Sequence, residues 1–404
     1  MRTTKDTKVR NTKEKNVANG RRFLYTHCIM KVCHITNLYK PYAVGGAERF
    51  VEETVKEGDV VVSWMPWEGL GSWKPHRTVE DGVIVYRYWA PNVFSYTNLS
   101  RHGALAKLLW HKIDIWNWWS GRIVRSILLQ EKPDVVNTHN LMGIGFSIPK
   151  VIQKLGIKHV HTLHDIQLVE PSGVLTWNHE KDSLVQRAYS WVMRRRMGKP
   201  DEMVALSDFL KRFYRERGFF ETGNWSDAKY GLRTEASEKL ETWDLKRQDT
   251  RYKIQTNNGS KRFLFVGSLV KHKGIEVLMH AWEKLPKDFS VELHIVGDGV
   301  LRQEVEEWVR EDRRVTVHGR LERDDVEKMY EMCDVLVFPS VCIENRPTVI
   351  VEALEHGLSI IASDTGGVGE LLDGKINARL VKPGDAEELV KKMIALINAD
   401  AVGV

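Results

Sequence analysis

Two alternating patterns of hydrophobic and polar residues run along the chain. Short apolar runs rich in β-branched residues predict strands, and the stretches between them, with apolar residues every three or four positions, predict amphipathic helices. A regular succession of the two is typical of a parallel sheet with crossover helices. In the first half we predict strands at 31–37, 59–65, 134–140, 159–165 and 202–207.

The pattern restarts after a polar, charged segment. Residues 221–260 have no clear period and are predicted to form a linker with an irregular edge. Beyond them we predict strands at 262–267, 291–297, 314–319, 334–340, 358–364 and 378–384. The fold class is therefore α/β, with two Rossmann-like doubly wound domains, 30–220 and 261–400, facing each other across a cleft. Ligands of such folds bind at the carboxyl ends of the strands.

The formal net charge of +6 is concentrated at the start of the chain. Residues 1–29 are rich in lysine and arginine and lack apolar periodicity, so we expect a disordered basic arm or a segment upstream of the true start. The rest of the chain is close to neutral. Charge therefore gives no indication of a nucleic-acid partner.

Two further features of the sequence indicate where in the cell the protein is located. No run of 18 consecutive apolar residues predicts a membrane-spanning helix. Cys28, Cys33, Cys333 and Cys342 lack the paired spacing of a zinc site or a disulfide framework, which favours a reducing cytosol. We expect a cytoplasmic protein.

The stretch ENRPTVIVE, residues 344–352, follows the predicted strand 334–340 directly. Pro347 suits the first position of a helix, which we expect from about Thr348 to Glu355, with Gly357 as a left-handed cap. Glu344 then precedes the helix and Glu352 lies about one turn inside it. The two glutamates thus flank a helix start, where an anion binds well.

This arrangement suits a phosphorylated, hydroxylated ligand, with amides for the phosphate and a carboxylate on each side for hydroxyl groups. The amides expected to take part lie between Asn345 and Ile350 and include those of Asn345, Arg346, Thr348 and Val349. The alternative is that both glutamates are merely solvated, because two glutamates at a given spacing are common. Pattern alone leaves these two interpretations about equal.

Neighbouring strand ends favour the first interpretation. Glycine-rich or polar loops follow several predicted strands and contain Gly45, Gly46, Ser268, Lys273, Asp298 and Arg320. A single lysine is usually just solvated, and a single histidine is usually structural. However, His139 and His164 end adjacent predicted strands, which strengthens the functional interpretation for His164.

Six blocks of the second half, taken in order, resemble the nucleotide-binding half of the retaining family 4 glycosyltransferases, which have the GT-B fold. They are VGSLVKHKG, LHIVGDGVLR, VTVHGRL, MYEMCDVLVFPS, ENRPTVIVEALEHGLSIIASDTGG and LVKPGD. The first half is similar at KVCHITNLYKPYAVGGAERF and HTLHD. The resemblance covers roughly residues 30–215 and 260–398, and it is more specific in the second range.

The resemblance implies a role for each matching residue. Glu344 matches a glutamate that binds hydroxyl groups of the transferred sugar, and Glu352 matches one that binds the nucleotide ribose. Lys273 matches the lysine that neutralises the leaving diphosphate. Gly46 matches a glycine near the diphosphate, and His164 a histidine that contacts the donor sugar. The implied catalytic residues are Glu344, Lys273 and His164.

The resemblance also implies the reaction. A hexose would pass from a nucleotide-diphosphate sugar to a lipid-linked or polysaccharide acceptor with retention of configuration. No cofactor is expected besides the donor substrate, and no metal, since we find no D-x-D motif. Ser268, which stands where many members have an arginine, and an end at Val404 without the usual crossing helix leave an impaired sugar-nucleotide binder as an alternative. A sugar-nucleotide epimerase on the same architecture is another.

The acceptor side is marked by aromatic residues. Eight of the 14 tryptophans lie between residues 64 and 119. They could fill the core of the first domain, or present an aromatic face to sugar rings or a lipid headgroup layer. Likewise, Arg194, Arg195 and Arg196 fit either a solvated face or an anionic membrane. A peripheral location on the inner face of the plasma membrane is the hypothesis drawn from the second interpretation.

Overall fold

The computed structural model describes residues 30–42, 45–179, 181–221, 223–227 and 260–401. The predictions made for residues 1–29, and for most of the segment 221–260, lie outside these ranges. Both sheets belong to one compact unit. No helix in the described ranges is long and apolar enough to cross a membrane.

The first sheet is nearly all parallel and has eight strands among the described residues, in the order β3-β4-β2-β1-β5-β6-β7-β8. Only β3 is antiparallel, pairing with β4. Its strands are β1 (Val32–Ile35), β2 (Val60–Trp64), β3 (His76–Glu80), β4 (Val83–Tyr88), β5 (Val135–Thr138), β6 (Lys158–Leu163), β7 (Glu202–Ala205) and β8 (Asn224–Asp227).

The second sheet is parallel throughout its described strands, in the order β11-β10-β9-β12-β13-β14. The strands are β9 (Lys261–Val266), β10 (Val291–Val296), β11 (Val315–Gly319), β12 (Val335–Phe338), β13 (Ser359–Ser363) and β14 (Ala378–Val381). The expected α/β class, with two Rossmann-like domains, is confirmed.

The helices cover both faces of each sheet. In the first domain they are α1 (Gly46–Thr54), α2 (Ala104–Trp116), α3 (Trp118–Glu131), α4 (Ile148–Leu155), α5 (Leu184–Met197) and α6 (Asp208–Glu216). In the second they are α7 (Ile275–Glu283), α8 (Arg302–Val309), α9 (Arg323–Met332), α10 (Thr348–Glu355), α11 (Val368–Leu372) and α12 (Ala386–Ala401).

Two apolar layers fix the second sheet in place. Trp282 of α7 and Met393 of α12 pack on one face, and Tyr330 of α9 and Ile350 of α10 pack on the other. Because both faces are covered, the strands are apolar almost throughout, as their sequences indicated. A ligand can therefore approach this sheet at the ends of its strands rather than on its faces.

Three strands were not predicted. The hairpin β3–β4 turns at Asp81 and Gly82, whose φ angles of 51° and 78° are those of a tight primed turn. An Asp-Gly pair between apolar runs is the usual signal for such a hairpin, so this hairpin could have been predicted from the sequence. Strand β8 pairs with β7 inside the range assigned to the linker, so the first sheet extends into it.

Helix α10 begins at Thr348 and ends at Glu355, as predicted. Pro347 is the residue before the helix rather than its first residue, and Gly357 has the expected positive φ of 77°. At α12, Asp385 accepts from the Glu388 amide at 2.8 Å, while the Glu388 carboxylate accepts from the Lys382 amide.

Asp324 and Glu327 have the spacing of a capping box, from which a helix beginning just after Asp324 would be predicted. Instead, α9 begins one residue before Asp324, with Glu322 as its cap.

Candidate active site

The loop from β12 to α10 carries Glu344 and is held from both domains. The Val341 amide donates to the His272 carbonyl at 3.0 Å, within the loop that follows β9. From the first domain, Trp177 donates to the Val341 carbonyl at 3.1 Å, and Ile343 donates in return to Leu175 at 2.7 Å. This short antiparallel pairing, centred on Thr176 and Cys342, fixes the backbone just before Glu344.

Glu344 is a mostly buried carboxylate with three donors on one oxygen. Its Oε1 accepts from Lys273 Nζ at 2.7 Å, from Ser340 Oγ at 2.8 Å and from Cys342 Sγ at 3.5 Å. Burial opposes the charge on Lys273, but the ion pair with Glu344 outweighs it and raises the pKa of Lys273. The structure thus brings together two of the residues predicted to be catalytic.

Glu352 is held from across the cleft. Arg49 of α1 forms an ion pair with its Oε1, and the Tyr330 hydroxyl donates to its Oε2 at 2.7 Å. Arg49 and Glu352, together with Gly45, Gly46 and Thr348, line a cavity of about 240 Å³ between the two domains. A carboxylate has about four acceptor positions, so hydroxyl groups of a ligand can still bind Glu352.

The two helix starts approach each other closely at this cavity. A Cβ added to Gly46 would lie 2.7 Å from Thr348 Cγ2, which is below any normal contact. Gly46 has an ordinary helical conformation, so the need for glycine arises from this approach rather than from the backbone. The Gly45 amide is already engaged, since it donates to Glu48 Oε2 at 2.8 Å.

The amides that were expected to bind an anion lie at the start of α10. The Ile350 amide is not available for an anion, because it donates to the Pro347 carbonyl at 3.2 Å. The predicted anion site therefore reduces to the amides from Asn345 to Val349, with Thr348 and Val349 also lining the cavity. Arg346 is half-buried in the same loop.

Asn345 joins the two domains. Its Oδ1 accepts from Ser207 Oγ, at the start of α6, and its Nδ2 donates to the His164 carbonyl at 2.9 Å. A second link, between Arg212 and Glu370, spans 2.7 Å but is largely exposed. Asn345 is thus tied to the strand end that carries His164.

His164 is the outer member of a chain of three imidazoles. Its Nε2 lies 2.9 Å from His139 Nδ1, and His139 Nε2 lies 3.1 Å from His34 Nδ1. Burial lowers the pKa of His164 to about 3 and that of His34 to about 4, so all three rings are neutral at pH 7. The chain fixes the orientation of His164 at the cleft.

The glycine-rich turn TGGVGE packs on the Glu344 loop rather than standing beside it. A Cβ at Gly366, where φ is 62°, would lie 2.0 Å from the Glu344 carbonyl oxygen. The next amide, Gly367, donates to that same oxygen at 2.8 Å. These glycines therefore support the loop from behind.

Ser268, Asp298 and Arg320 are exposed and follow three adjacent strands of the second sheet. Asp298 is engaged within its own loop, accepting from the Gly299 amide at 2.7 Å and from Arg302 Nη1 at 3.3 Å. Their proposed contacts with the donor remain predictions.

Sequence reasoning missed several residues that complete the site. Arg49 follows the Gly45–Gly46 pair closely, but nothing in one sequence indicates that it meets Glu352. Glu48 is buried beside this pair, and burial raises its pKa. Asp165, next to His164, accepts from Asn140 Nδ2 at 3.1 Å, and burial raises its pKa to about 6.

Two family models match the chain. The one described as "Glycosyl transferases group 1" matches residues 260–399, and "Glycosyltransferase Family 4" matches residues 82–222. An uncharacterized glycosyltransferase of Methanocaldococcus jannaschii is 25% identical over 92% of this chain and 89% of its own length. An uncharacterized 42.6 kDa protein in the cps region of Klebsiella pneumoniae is 27% identical over 85% and 87%, respectively.

Solved structures agree on the fold. Sucrose-phosphate synthase from Thermosynechococcus elongatus superposes with a TM-score of 0.64 at 17% identity, covering 92% of this chain and 90% of that one. Anabaena HepE in complex with UDP-glucose superposes with a TM-score of 0.56 at 18% identity, covering 92% and 89%.

The fold and these matches define the class: the protein is a glycosyltransferase with the GT-B fold. Each domain of the chain matches one glycosyltransferase family model, the first "Glycosyltransferase Family 4" and the second "Glycosyl transferases group 1". The sugar-nucleotide epimerase alternative is not favoured.

Proposed function

We propose that the protein transfers a hexose from a nucleotide-diphosphate sugar to a lipid-linked or polysaccharide acceptor, with retention of the anomeric configuration. One observation carries the proposal. Two part-buried carboxylates, Glu344 and Glu352, flank the amino end of α10 at the cleft, and each is paired with a cation. Carboxylates bind sugar hydroxyl groups, and a helix start binds phosphate.

The proposed donor lies along this line of groups. Glu352 binds the ribose, the amides from Asn345 to Val349 bind phosphate oxygens, and Glu344 binds hydroxyl groups of the hexose. Lys273 stabilises the charge that develops on the leaving diphosphate. Gly45 and Gly46 border the diphosphate, and His164 orients the hexose from the first domain.

In the proposed reaction, the bond between the anomeric carbon and the diphosphate oxygen breaks as the acceptor oxygen approaches on the same face of the sugar. The acceptor proton passes to the departing diphosphate, so no enzymic nucleophile is needed. Positioning of both substrates and stabilisation of the leaving charge supply the rate enhancement. We propose that Lys273 and the α10 amides carry this stabilisation without a metal ion or other cofactor.

Calorimetry with UDP-, GDP- and ADP-sugars tests the proposal. We expect one nucleotide class to bind the parent protein, and a variant carrying Glu344→Gln and Glu352→Gln to bind it far more weakly. Binding of no nucleotide sugar would overturn the proposal. Binding without turnover on any glycan or lipid-linked acceptor would instead identify an impaired binder, the alternative that Ser268 raised.

The stereochemistry and the metal requirement have separate tests. Proton NMR of the first product formed should give the anomer of the donor, and the opposite anomer would exclude retention. Addition of EDTA should leave the initial rate unchanged. A loss of rate that magnesium or manganese restores would contradict a metal-independent mechanism.

A further inference from the structure

Helix α2 has its apolar side turned outward. Along it, the residues that face solvent recur every three or four positions, and the exposed fractions are 85% for Leu105, 67% for Leu108 and 59% for Trp116. The side that packs on the domain carries Trp110, which is buried, and Asp114, which is also buried and accepts two bonds from the Gly143 amide. A helix on a protein surface normally has polar residues on its outer side, whereas α2 has large apolar residues there as well.

Helix α5 continues this outward apolar surface. Leu184, Val185 and Trp191 are all exposed on it. The two helices meet at their carboxyl ends, where the Arg196 guanidinium stacks 4.8 Å from the Trp116 ring centre. Exposed apolar residues grouped on two helices that touch, rather than scattered singly, mark an interaction site.

Cations surround the apolar residues. Arg195 stacks 3.6 Å from the Trp191 ring centre, and Arg122 of α3 stacks 4.7 Å from the Trp118 ring centre. Helix α5 contains four arginines and no acidic residue. The acidic residue of α2, Asp114, is buried, so α2 and α5 expose no carboxylate on this surface.

We propose that this surface, formed by the outward sides of α2 and α5 and the start of α3, binds the face of an anionic lipid bilayer. Leucine and tryptophan side chains would enter the boundary between headgroups and acyl chains, while arginine and lysine meet lipid phosphates. A second copy of the chain is a poorer occupant, because two such surfaces would bring their cations together. This partner lies beyond the proposed transfer reaction and does not depend on it.

Vesicle sedimentation tests the proposal without any donor. The parent protein should sediment with vesicles of phosphatidylcholine containing about one third phosphatidylglycerol, and not with phosphatidylcholine alone. Raising the salt from about 0.05 M to about 0.5 M should weaken binding, because the charges become screened. A variant with Leu105→Gln and Leu108→Gln should partition about tenfold more weakly.

The matched control carries Val300→Gln and Ile376→Gln, two residues of the second domain that are 86% and 92% exposed. It should sediment like the parent. All three proteins keep residues 1–29, so binding through that basic segment would leave the α2 variant unchanged and would overturn the proposal. Absence of parent binding to anionic vesicles, or a dimer that the α2 variant dissociates, would overturn it as well.

Discussion

Arg49 and Glu352 are 303 residues apart in the sequence and form an ion pair across the cleft. The Glu352 side chain is also held by Tyr330, so the carboxylate has a fixed orientation. Removing one partner of a part-buried, hydrogen-bonded ion pair costs more free energy than removing one partner of an exposed pair. The pair therefore links the closure of the two domains to the side chain proposed to bind ribose.

We predict that Arg49→Met weakens nucleotide-sugar binding about tenfold, because Glu352 loses the donor that orients it. Arg212→Met removes an exposed pair between the same domains and should change the affinity little. Calorimetric titration of both variants measures the difference. Tighter binding by Arg49→Met would mean that Arg49 competes with the ligand for Glu352.

The two glutamates should fail in different ways. Glu352→Gln should weaken binding of the free nucleoside diphosphate about tenfold or more, since it removes a charged acceptor for ribose. Glu344→Gln should reduce turnover strongly while leaving that binding within about threefold, since the proposed contact of Glu344 is with the sugar and not with the nucleotide. Glu331→Gln, an exposed change on α9, is the control. Equal nucleotide binding by Glu352→Gln and the parent would refute the ribose assignment.

The close approach of Gly46 to Thr348 gives a third prediction. Gly46→Ala should lower the rate of transfer, because its Cβ would lie 2.7 Å from Thr348 Cγ2 and the helix starts would have to separate. Thr348→Ser removes that methyl group and keeps the hydroxyl. The double variant should therefore recover much of the activity in a steady-state assay. Equal impairment of the single and double variants would show that the clash is not the cause.

Because several buried histidines are neutral, we expect the folded state to lose stability in acid. Burial lowers the pKa of four histidines in the first domain to about 3 or about 4, namely His34, His159, His161 and His164, and lowers that of a fifth, His139, well below its usual value. In the unfolded chain each binds a proton near pH 6.5, whereas the folded protein does not. Their stabilisation is thus present above pH 6.5 and is lost as the pH falls toward 4.

Two buried carboxyl groups act in the opposite direction. Burial raises the pKa of Asp114 to about 8 and that of Asp165 to about 6, so their contribution favours the folded state at lower pH. Five histidines outweigh two carboxyl groups, and the midpoint of thermal unfolding should fall between pH 7 and pH 5. Calorimetric scans measure it. A midpoint that rises over this interval would contradict the assigned neutral histidines.

Local sequence was enough for much of the second domain. The start and end of α10 were predicted to the residue. Helix periodicity indicated the stretch from Thr348 to Glu355, and Gly357 indicated a left-handed cap just beyond it; both signals depend only on residues that are neighbours in the sequence. The strands of this sheet were equally clear, since apolar runs buried on both faces leave a continuous pattern. The glycosyltransferase class followed from motifs in that domain and is confirmed.

Other features escaped because their signal is weak or not local. The short edge strand β8 has no apolar alternation, and its place is set by pairing with β7. The turn at Gly366 packs against the Glu344 carbonyl, a contact that its glycines alone do not indicate. The role of each glutamate toward a donor stays a prediction.

The sequence by itself determined the order of strands and helices, the two domains, and the carboxylates and lysine available at the strand ends, because these depend on periodicity and local backbone preference. Only the tertiary structure decided which groups meet: Lys273 with Glu344, Arg49 with Glu352, Asn345 with the His164 strand end, and the outward direction of Leu105 and Trp116. Contacts between distant residues depend on how whole sheets and helices pack, and a single sequence does not encode that packing in any short segment.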